Sequence, residues 1–198
     1  LDGKEPTEES ALYSEPIAIA ATTTIKARAY KDGFIPSRIF TIQATKAVFK
    51  NPVSALAKEN GTNFHYYEGY FSAVNQIQKA PLVEKGIITE PSINGAKQAD
   101  HFAFIFTGII FVPEDGVYEF MTTSDDGSVL HVDNIKIVDN DGSHAAISAT
   151  GRIALKKGHH TYKLQYFEDY EGEHLSWGWK KPTSEKFENI PASNLFIK

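Results

Sequence analysis

Two adjacent aspartates occupy a turn near the middle of the chain, in the sequence Ser124-Asp125-Asp126-Gly127. Successive side chains of an extended chain point to opposite faces, so neighbouring carboxylates reach one site only through a sharp turn or a cis peptide bond. A calcium ion would remove the repulsion between them, because calcium takes several hard oxygen ligands. The pair therefore predicts a calcium site at Asp125 and Asp126. The alternative is an Asp-Gly turn whose carboxylates bond only their own backbone.

A second acidic segment lies later in the chain, where a run of alternating apolar residues ends. It carries four carboxylates within six residues: Glu168, Asp169, Glu171 and Glu173. Closely spaced acids repel one another and are usually solvated. If calcium binds the aspartate pair, however, this segment is the natural source of its remaining ligands.

The aspartate pair lies within residues 100–134, which read as three strands and three turns. Phe102, Phe104 and Phe106 recur at every second position, the pattern of a strand packed on a core. This strand is predicted over residues 102–112, and it ends at a Pro-Glu-Asp-Gly hairpin turn. Two more strands are predicted over residues 117–123 and 129–132. Residues 75–99, interrupted by proline and glycine, are expected to be the least regular part of the chain.

Composition bounds the classes of function. The 198 residues are 41% hydrophobic and 12% aromatic, which is typical of a globular protein with a real core. There is no cysteine, so disulfides and cysteine metal sites are excluded. The net charge of -5 and the scattered basic residues argue against nucleic acid as a partner. No apolar run is long enough for a membrane-spanning helix, and the N-terminus lacks the layout of a signal peptide.

Four stretches of the second part of the chain carry a resemblance to a known family. They are DHFAFIFTG, VPEDGVYEFMTTSDDGSVLHVD, VDNDGSH and IPASNLF, in that order. They resemble the PA14 domain over about residues 60–198. The resemblance implies a β-barrel or β-sandwich that commonly binds glycans and accompanies glycosidases, adhesins and toxins. It also implies that the aromatic-rich residues 64–71 belong to the first long strand, where tyrosines either pack in the core or form a sugar-stacking platform.

The resemblance also implies a site. In the yeast adhesin branch of the family, paired aspartates joined by a cis peptide hold calcium, and the calcium holds sugar hydroxyls. Glu168 stands where those adhesins have an asparagine, so the metal ligands expected here are Asp125, Asp126 and Glu168. The expected glycan-binding residues include the two aspartates, Asp125 and Asp126. A polar loop predicted over residues 139–144 adds Asn140, Asp141 and His144. The acidic segment adds one aromatic residue, Tyr170. A plain solvated turn is the alternative for the polar loop.

Residues 1–45 resemble a different family. The sequence TTTIKARAYKDG, preceded by DGKEPTEESALYSEPIAI, is similar to the end of the chitobiase and β-hexosaminidase C-terminal domain, an Ig-like sandwich. Its first strands are missing here, so these residues are expected to form an incomplete sheet. The predicted organisation is all-β: a truncated Ig-like sandwich over residues 1–45, a linker over residues 46–59 and a PA14-type domain over residues 60–198.

These resemblances lead to two hypotheses of function. The first is a non-catalytic carbohydrate-binding region of a secreted bacterial glycan-degrading enzyme, typically a β-N-acetylhexosaminidase, with the catalytic domain upstream in the same polypeptide and calcium as cofactor. The expected location is periplasmic or extracellular. The second is a pair of structural spacers that brace the catalytic domain and bind no ligand. Asp125 or Asp126 paired with Glu171 or Glu173 could provide the two carboxylates of a glycosidase. No catalytic residue is predicted, however, because neither resembled domain is catalytic by itself and the chain has no serine elbow, phosphate loop or zinc spacing.

Overall fold

The computed structural model describes residues 3–54 and 59–197, and the chain divides into two compact units, residues 1–48 and 49–198. In the first unit, strands β1 (Thr23–Ala27) and β2 (Phe40–Ala44) form a two-stranded antiparallel sheet. None of the described residues 3–48 is buried, so this small sheet has no core of its own. The expectation that residues 1–45 form an incomplete Ig-like sheet stays a prediction. No helix in the described parts of the chain has the length and apolar character needed to cross a membrane.

The second unit is built of antiparallel strands joined by short turns. Part of the predicted linker forms backbone hydrogen bonds with this unit. The Lys50 N–H donates to the Ala154 carbonyl at 2.9 Å, and the Val53 N–H donates to the His159 carbonyl at 2.8 Å. Residues 55–58 of the linker lie outside the described residues. The strands are β3 (Thr62–Glu68), β4 (Leu82–Ile88), β5 (Phe102–Val112), β6 (Gly116–Asp125), β7 (Ser128–Val132), β8 (Ile135–Asn140), β9 (Ile147–Leu155), β10 (Gly158–Glu168), β11 (His174–Lys180), β12 (Glu188–Asn189) and β13 (Leu195–Phe196). Two 3₁₀ helices span Val74–Lys79 and Ala192–Asn194.

Among the described residues, these strands form two sheets. The larger has the order β4-β3-β5-β10-β7-β8, with β13 added to β5, and the smaller has the order β12-β11-β6-β9. Chain segments β6 and β7 are consecutive but belong to different sheets, so the Asp125–Gly127 turn carries the chain from one layer to the other. The two layers enclose one large hydrophobic core, which confirms the all-β prediction.

The phenylalanine alternation predicted for β5 is confirmed, because Phe102, Phe104 and Phe106 all point into the core between the sheets. The alternate residues of β5 lie on the outer face of the larger sheet, where Ala103 and Ile105 join a second, smaller cluster. The first 3₁₀ helix covers that cluster with its buried Val74 and Ile77 side chains. The large sheet is therefore packed on both faces.

Two sequence expectations were wrong in detail. Residues 75–99 contain a 3₁₀ helix and the edge strand β4, whose mostly exposed LVEKGII sequence has too weak an alternation to reveal a strand that only pairs with β3. The polar loop predicted from residue 139 begins later, because Asp139 and Asn140 continue β8 by pairing with Val129 and Ser128. The loop that remains connects β8 to β9 over residues 141–146.

A buried ion pair fastens the turn between β7 and β8 to β10. His160 is fully buried, its Nδ1 lies 2.6 Å from Asp133 Oδ2, and its Nε2 lies 2.8 Å from the Lys156 carbonyl oxygen. Burial lowers the pKa of His160, but these two acceptors outweigh burial and hold the pKa above its ordinary value. Burial likewise raises the pKa of Asp133, and the His160 and Thr161 hydrogen bonds outweigh it to give a lowered pKa.

This pair predicts a pH-dependent contribution to stability. The contribution of His160 is complete below its unfolded pKa of about 6.5 and is lost as the pH rises through its raised folded pKa. That of Asp133 is complete above its unfolded pKa of about 3.8 and is lost as the pH falls through its lowered folded pKa. We expect Asp133→Asn to cost about 2 kcal/mol in urea unfolding at pH 5.5 and clearly less at pH 9. Asp115→Asn, which removes a carboxylate that accepts only the Lys157 N–H, serves as the control with no such pH dependence. Equal costs of Asp133→Asn at both pH values would contradict the prediction.

Candidate functional site

Three carboxylates converge at one end of the second unit. Asp125 ends β6, Asp126 follows it, and Glu168 ends β10. The peptide bond between Asp125 and Asp126 is cis, and one carboxylate oxygen from each of the three residues lies within 4.8 Å of the others. The side chains of Asp125 and Asp126 therefore lie close to that of Glu168, the last residue of β10.

Backbone amides from two loops hold the aspartate carboxylates. Asp126 Oδ1 accepts the His144 N–H at 2.7 Å, and its Oδ2 accepts the Asp169 and Tyr170 N–H groups at 2.8 and 3.3 Å. Asp125 Oδ2 accepts the Ala146 N–H at 3.0 Å. These donors are distant in sequence, so the two side chains do more than close their own turn. Both the 141–146 loop and the 169–173 loop are anchored on the aspartate pair.

Glu168 is the most constrained member of the cluster. Its side chain has no exposed surface, its Oε2 lies 2.9 Å from the Tyr166 hydroxyl, and its Oε1 has no hydrogen-bond partner among the described residues. Burial, together with the negative charges of Asp126 and Asp125, raises the pKa of Glu168 to about 7. The Tyr166 hydroxyl, whose pKa is raised by burial and by Glu168, stays protonated, and its oxygen also lies 2.6 Å from the Asp125 carbonyl oxygen. Its single proton can be donated to only one of these two acceptors at a time.

The donor set fits a hard divalent cation. Three carboxylates face one another, and a buried Glu168 oxygen has no hydrogen-bond partner among the described residues. The negative charge of Glu168 is costly in this position unless a proton or a cation neutralises it. Calcium takes six to eight oxygen ligands and accepts irregular geometry. Asp125, Asp126 and Glu168 would supply the carboxylate ligands, and a bound calcium ion would neutralise their charge and offer its remaining coordination positions to other oxygens.

The structure separates the other residues predicted for glycan binding. Asn140 is buried, and its side-chain amide donates to Ser124 Oγ (2.9 Å) and to the Ile147 carbonyl (3.1 Å). These hydrogen bonds hold the residues that flank the 141–146 loop. Asp141 Oδ1 accepts the Val74 N–H at 2.9 Å and lines a separate cleft beside the first 3₁₀ helix. The two that lie at the cluster are His144, through its backbone N–H, and the exposed Tyr170.

The remaining acids of the second acidic segment do not join the cluster. The Asp169 carboxylate accepts the Ser143 hydroxyl at 2.7 Å, and this bond links the two loops. Glu171 and Glu173 are exposed and lie outside the group of converging carboxylates, so Glu168 is the acid of this segment that joins the group. Charge density alone could not separate these four residues, since that choice depends on where β10 ends.

Sequence reasoning missed two residues that shape the site, Tyr166 and His101, and it left Tyr70 open between core packing and sugar stacking. The Tyr166 hydroxyl bridges Asp125 and Glu168, and its only sequence signal is its position two residues before Glu168 at the end of an alternating strand. Tyr70 and His101 are in ring contact at 4.1 Å, and His101 lies 6.4 Å from the Tyr170 ring. No local pattern indicates this cluster, because its members come from three distant segments.

Comparisons with known proteins agree with both parts of this architecture. The family model described as "PA14 domain" matches residues 58–192, and the model described as "Chitobiase/beta-hexosaminidase C-terminal domain" matches residues 1–41. A beta-hexosaminidase of Porphyromonas gingivalis (strain ATCC BAA-308 / W83) is 27% identical over 211 residues, which cover 99% of this chain and 27% of that protein. The chain thus spans about a quarter of the length of this relative.

Two solved structures share the fold. An anti-sigma factor domain-containing protein from Clostridium clariflavum superposes with a TM-score of 0.59 and 22% identity, covering 86% of this chain and 59% of that one. A PA14 sugar-binding domain from an RTX adhesin gives a TM-score of 0.58 and 16% identity, covering 70% of this chain and 99% of that one. At these identities the likeness concerns the fold alone.

Proposed function

Because the chain belongs to the PA14 domain family, we propose that its second unit is a non-catalytic carbohydrate-binding module in which calcium, held by Asp125, Asp126 and Glu168, binds hydroxyl groups of a glycan. The observation that carries the proposal is the unpartnered, fully buried Glu168 oxygen facing two further carboxylates. A neutral sugar has no charge with which to compensate three acids. A cation has that charge, and it leaves coordination positions for vicinal hydroxyl groups.

A binding role fits the acid cluster better than hydrolysis does. A glycosidase needs two carboxyl groups that flank the scissile bond and reach it from opposite sides. Glu168 has no exposed surface and Asp126 is 4% exposed, so neither carboxyl can reach a glycosidic oxygen. Both Asp126 oxygens also accept backbone N–H groups. Such burial suits acids that bind a cation better than acids that contact a glycosidic bond.

We further propose that the chain is an accessory region of a secreted glycan-degrading enzyme of the β-hexosaminidase type, acting outside the cytoplasm next to a catalytic domain. Support comes from the relative that this chain matches along almost its whole length while covering 27% of the relative. A non-catalytic module on such an enzyme raises the local concentration of glycan at the catalytic domain, in the manner of any tethered second binding site.

The proposal is tested by calcium titration and glycan binding on the whole 198-residue chain. We expect calorimetry on chelator-treated protein to show one calcium site, and a glycan array in CaCl₂ to give signals that EDTA abolishes. Binding of glycans that survives EDTA would refute the role of calcium. An array with no signal in either condition would favour the structural-spacer alternative.

Replacing Glu168 by glutamine should separate cation binding from stability. The substitution removes a ligand charge, so calcium affinity should fall by about tenfold or more. It also removes a negative charge that burial and the neighbouring aspartates disfavour, so the calcium-free protein should gain about 2 kcal/mol in urea unfolding at pH 8. Glu171→Gln, an exposed acid of the same segment, is the matched control and should change neither quantity. A Glu168→Gln protein that is less stable without calcium would contradict the interpretation of the cluster as a cation site.

A further inference from the structure

Three aromatic rings form a cluster beside the acidic site. The Tyr70 and His101 ring centroids are 4.1 Å apart, and the His101 and Tyr170 centroids are 6.4 Å apart with an angle of 28° between their planes. Tyr70 and Tyr170 are 80% and 65% exposed, whereas Tyr66 and Tyr67 of β3 are buried. We call Tyr70, His101 and Tyr170 the aromatic ledge.

Local backbone structure presents the ledge to solvent. Gly69 has φ +154°, a value that side-chain-bearing residues rarely adopt, and its N–H donates to the His101 carbonyl at 2.8 Å. The side chains of the next two residues point in different directions. Phe71 is 3% exposed and packs in the smaller hydrophobic cluster on the outer face of the larger sheet, whereas Tyr70 is exposed to solvent. The outward position of Tyr70 is thus set by an anchored neighbour on each side.

Hydrogen bonds tie the ledge to the acidic cluster. The Tyr170 N–H donates to Asp126 Oδ2 at 3.3 Å, and the Glu171 N–H donates to Asp100 Oδ1 at 3.1 Å. The first bond places the start of the Tyr170 side chain next to a proposed calcium ligand. The second joins the 169–173 loop to the segment that carries His101. Two backbone hydrogen bonds therefore connect the segments that carry Tyr170 and His101 to the acidic cluster and to each other.

Exposed aromatic rings next to a polar site are typical of ligand contact. A tyrosine offers a large rigid face at low entropic cost, and the negative face of its ring attracts the polarised C–H bonds of a sugar. Tyr70 and Tyr170 each have a ring contact with His101 and keep most of their surface exposed, so burial in the core does not account for their positions. A pyranose with equatorial substituents, such as glucose or N-acetylglucosamine in β linkage, presents several axial C–H bonds on one face.

From this arrangement we infer that the aromatic ledge is a second subsite that stacks against the next pyranose of a β-linked glucose- or N-acetylglucosamine-type oligosaccharide. The inference rests on the proposed calcium-dependent glycan site, which it extends from one sugar to at least two. The cation site holds hydroxyl groups of one residue, and the ledge selects the shape and linkage of its neighbour.

The test compares one sugar with two, on the whole chain in CaCl₂. Probes are N-acetylglucosamine, di-N-acetylchitobiose and cellobiose, measured by calorimetry. We expect Tyr70→Ala to weaken disaccharide binding by about five- to tenfold, to change monosaccharide binding by less than twofold, and to leave calcium affinity unchanged. Tyr70→Phe keeps the ring and should bind as the wild type does. Tyr13→Ala, an exposed tyrosine in the first unit, is the matched control.

The outcomes distinguish the two levels of the proposal. Disaccharide binding by the wild type that Tyr70→Ala leaves unchanged overturns the aromatic ledge and leaves the calcium site standing. A wild type that binds only glycans without β-linked glucose-type residues on an array also overturns the ledge. Loss of calcium affinity in Tyr70→Ala would show that the ring acts through the fold, and this too counts against a stacking role. A wild type that binds neither calcium nor any glycan overturns both proposals.

Discussion

Asp126→Asn should abolish calcium binding and glycan binding together, with at least a hundredfold loss of calcium affinity. Asparagine has nearly the same shape, but its NH₂ group would face backbone N–H donors. The Asp126 carboxylate accepts three of them, from His144, Asp169 and Tyr170. At least one of these N–H groups would then lose its acceptor, so we also expect a loss of about 2–4 kcal/mol in stability.

Calorimetry measures the loss of calcium affinity. Hydrogen exchange measures the loss of stability at the backbone N–H groups that Asp126 accepts. The amides of residues 144, 169 and 170 should exchange faster in Asp126→Asn, because their acceptor is weakened. Asp139→Asn is the control, since Asp139 is an exposed acid of the neighbouring β8 that pairs with Lys136 and lies outside the cluster. Calcium affinity within threefold of the wild type in Asp126→Asn would show that the carboxylates do not form the cation site.

Gly151→Ala should destabilise the second unit by roughly 3–5 kcal/mol. A Cβ atom at Gly151 would lie 1.7 Å from the Ile137 carbonyl oxygen and 2.7 Å from its carbonyl carbon. Gly151 pairs with Phe120 in the smaller sheet, whereas Ile137 belongs to β8 of the larger sheet. The clash is therefore between two backbones that close one side of the sandwich, and neither can move without disturbing its own sheet.

Urea unfolding of Gly151→Ala and of a control variant, Gly95→Ala, measures this effect. Gly95→Ala adds the same methyl group where nothing lies within 4 Å, so its stability should stay within about 0.5 kcal/mol of the wild type. Similar stabilities for Gly151→Ala and Gly95→Ala would mean that β8 and β9 do not approach each other as closely as described.

Local patterns were enough to predict much of the fold. The alternation of Phe102, Phe104 and Phe106 and the Pro-Glu-Asp-Gly turn are set by neighbouring residues, and β5 has the bounds expected from them. The edge strand β4 was missed because an edge strand exposed along most of its length carries little periodic signal. Asp139 and Asn140 were assigned to a loop by their polarity, although their pairing with β7 keeps them in a strand.

The site was predictable where its residues are adjacent in sequence. Asp125 and Asp126 could be chosen from their spacing, and the resemblance to PA14 domains pointed to Glu168. The orphaned Glu168 oxygen, the Tyr166 bridge and the contact of Tyr70 with His101 could not be predicted, because each depends on the register and ends of strands far apart in the chain. For the same reason the buried support role of Asn140 was invisible in the sequence.

The acidic cluster joins the ends of two strands that belong to opposite layers, with Asp125 at the end of β6 and Glu168 at the end of β10. A ligand gripped there would transmit tension to both sheets at once. A force applied through a bound glycan would then be resisted by the long pairings of β6 with β9 and of β10 with β5. It would not separate a single edge strand from its sheet. If the proposed glycan site is correct, a pull on a bound glycan would therefore be resisted by both sheets together.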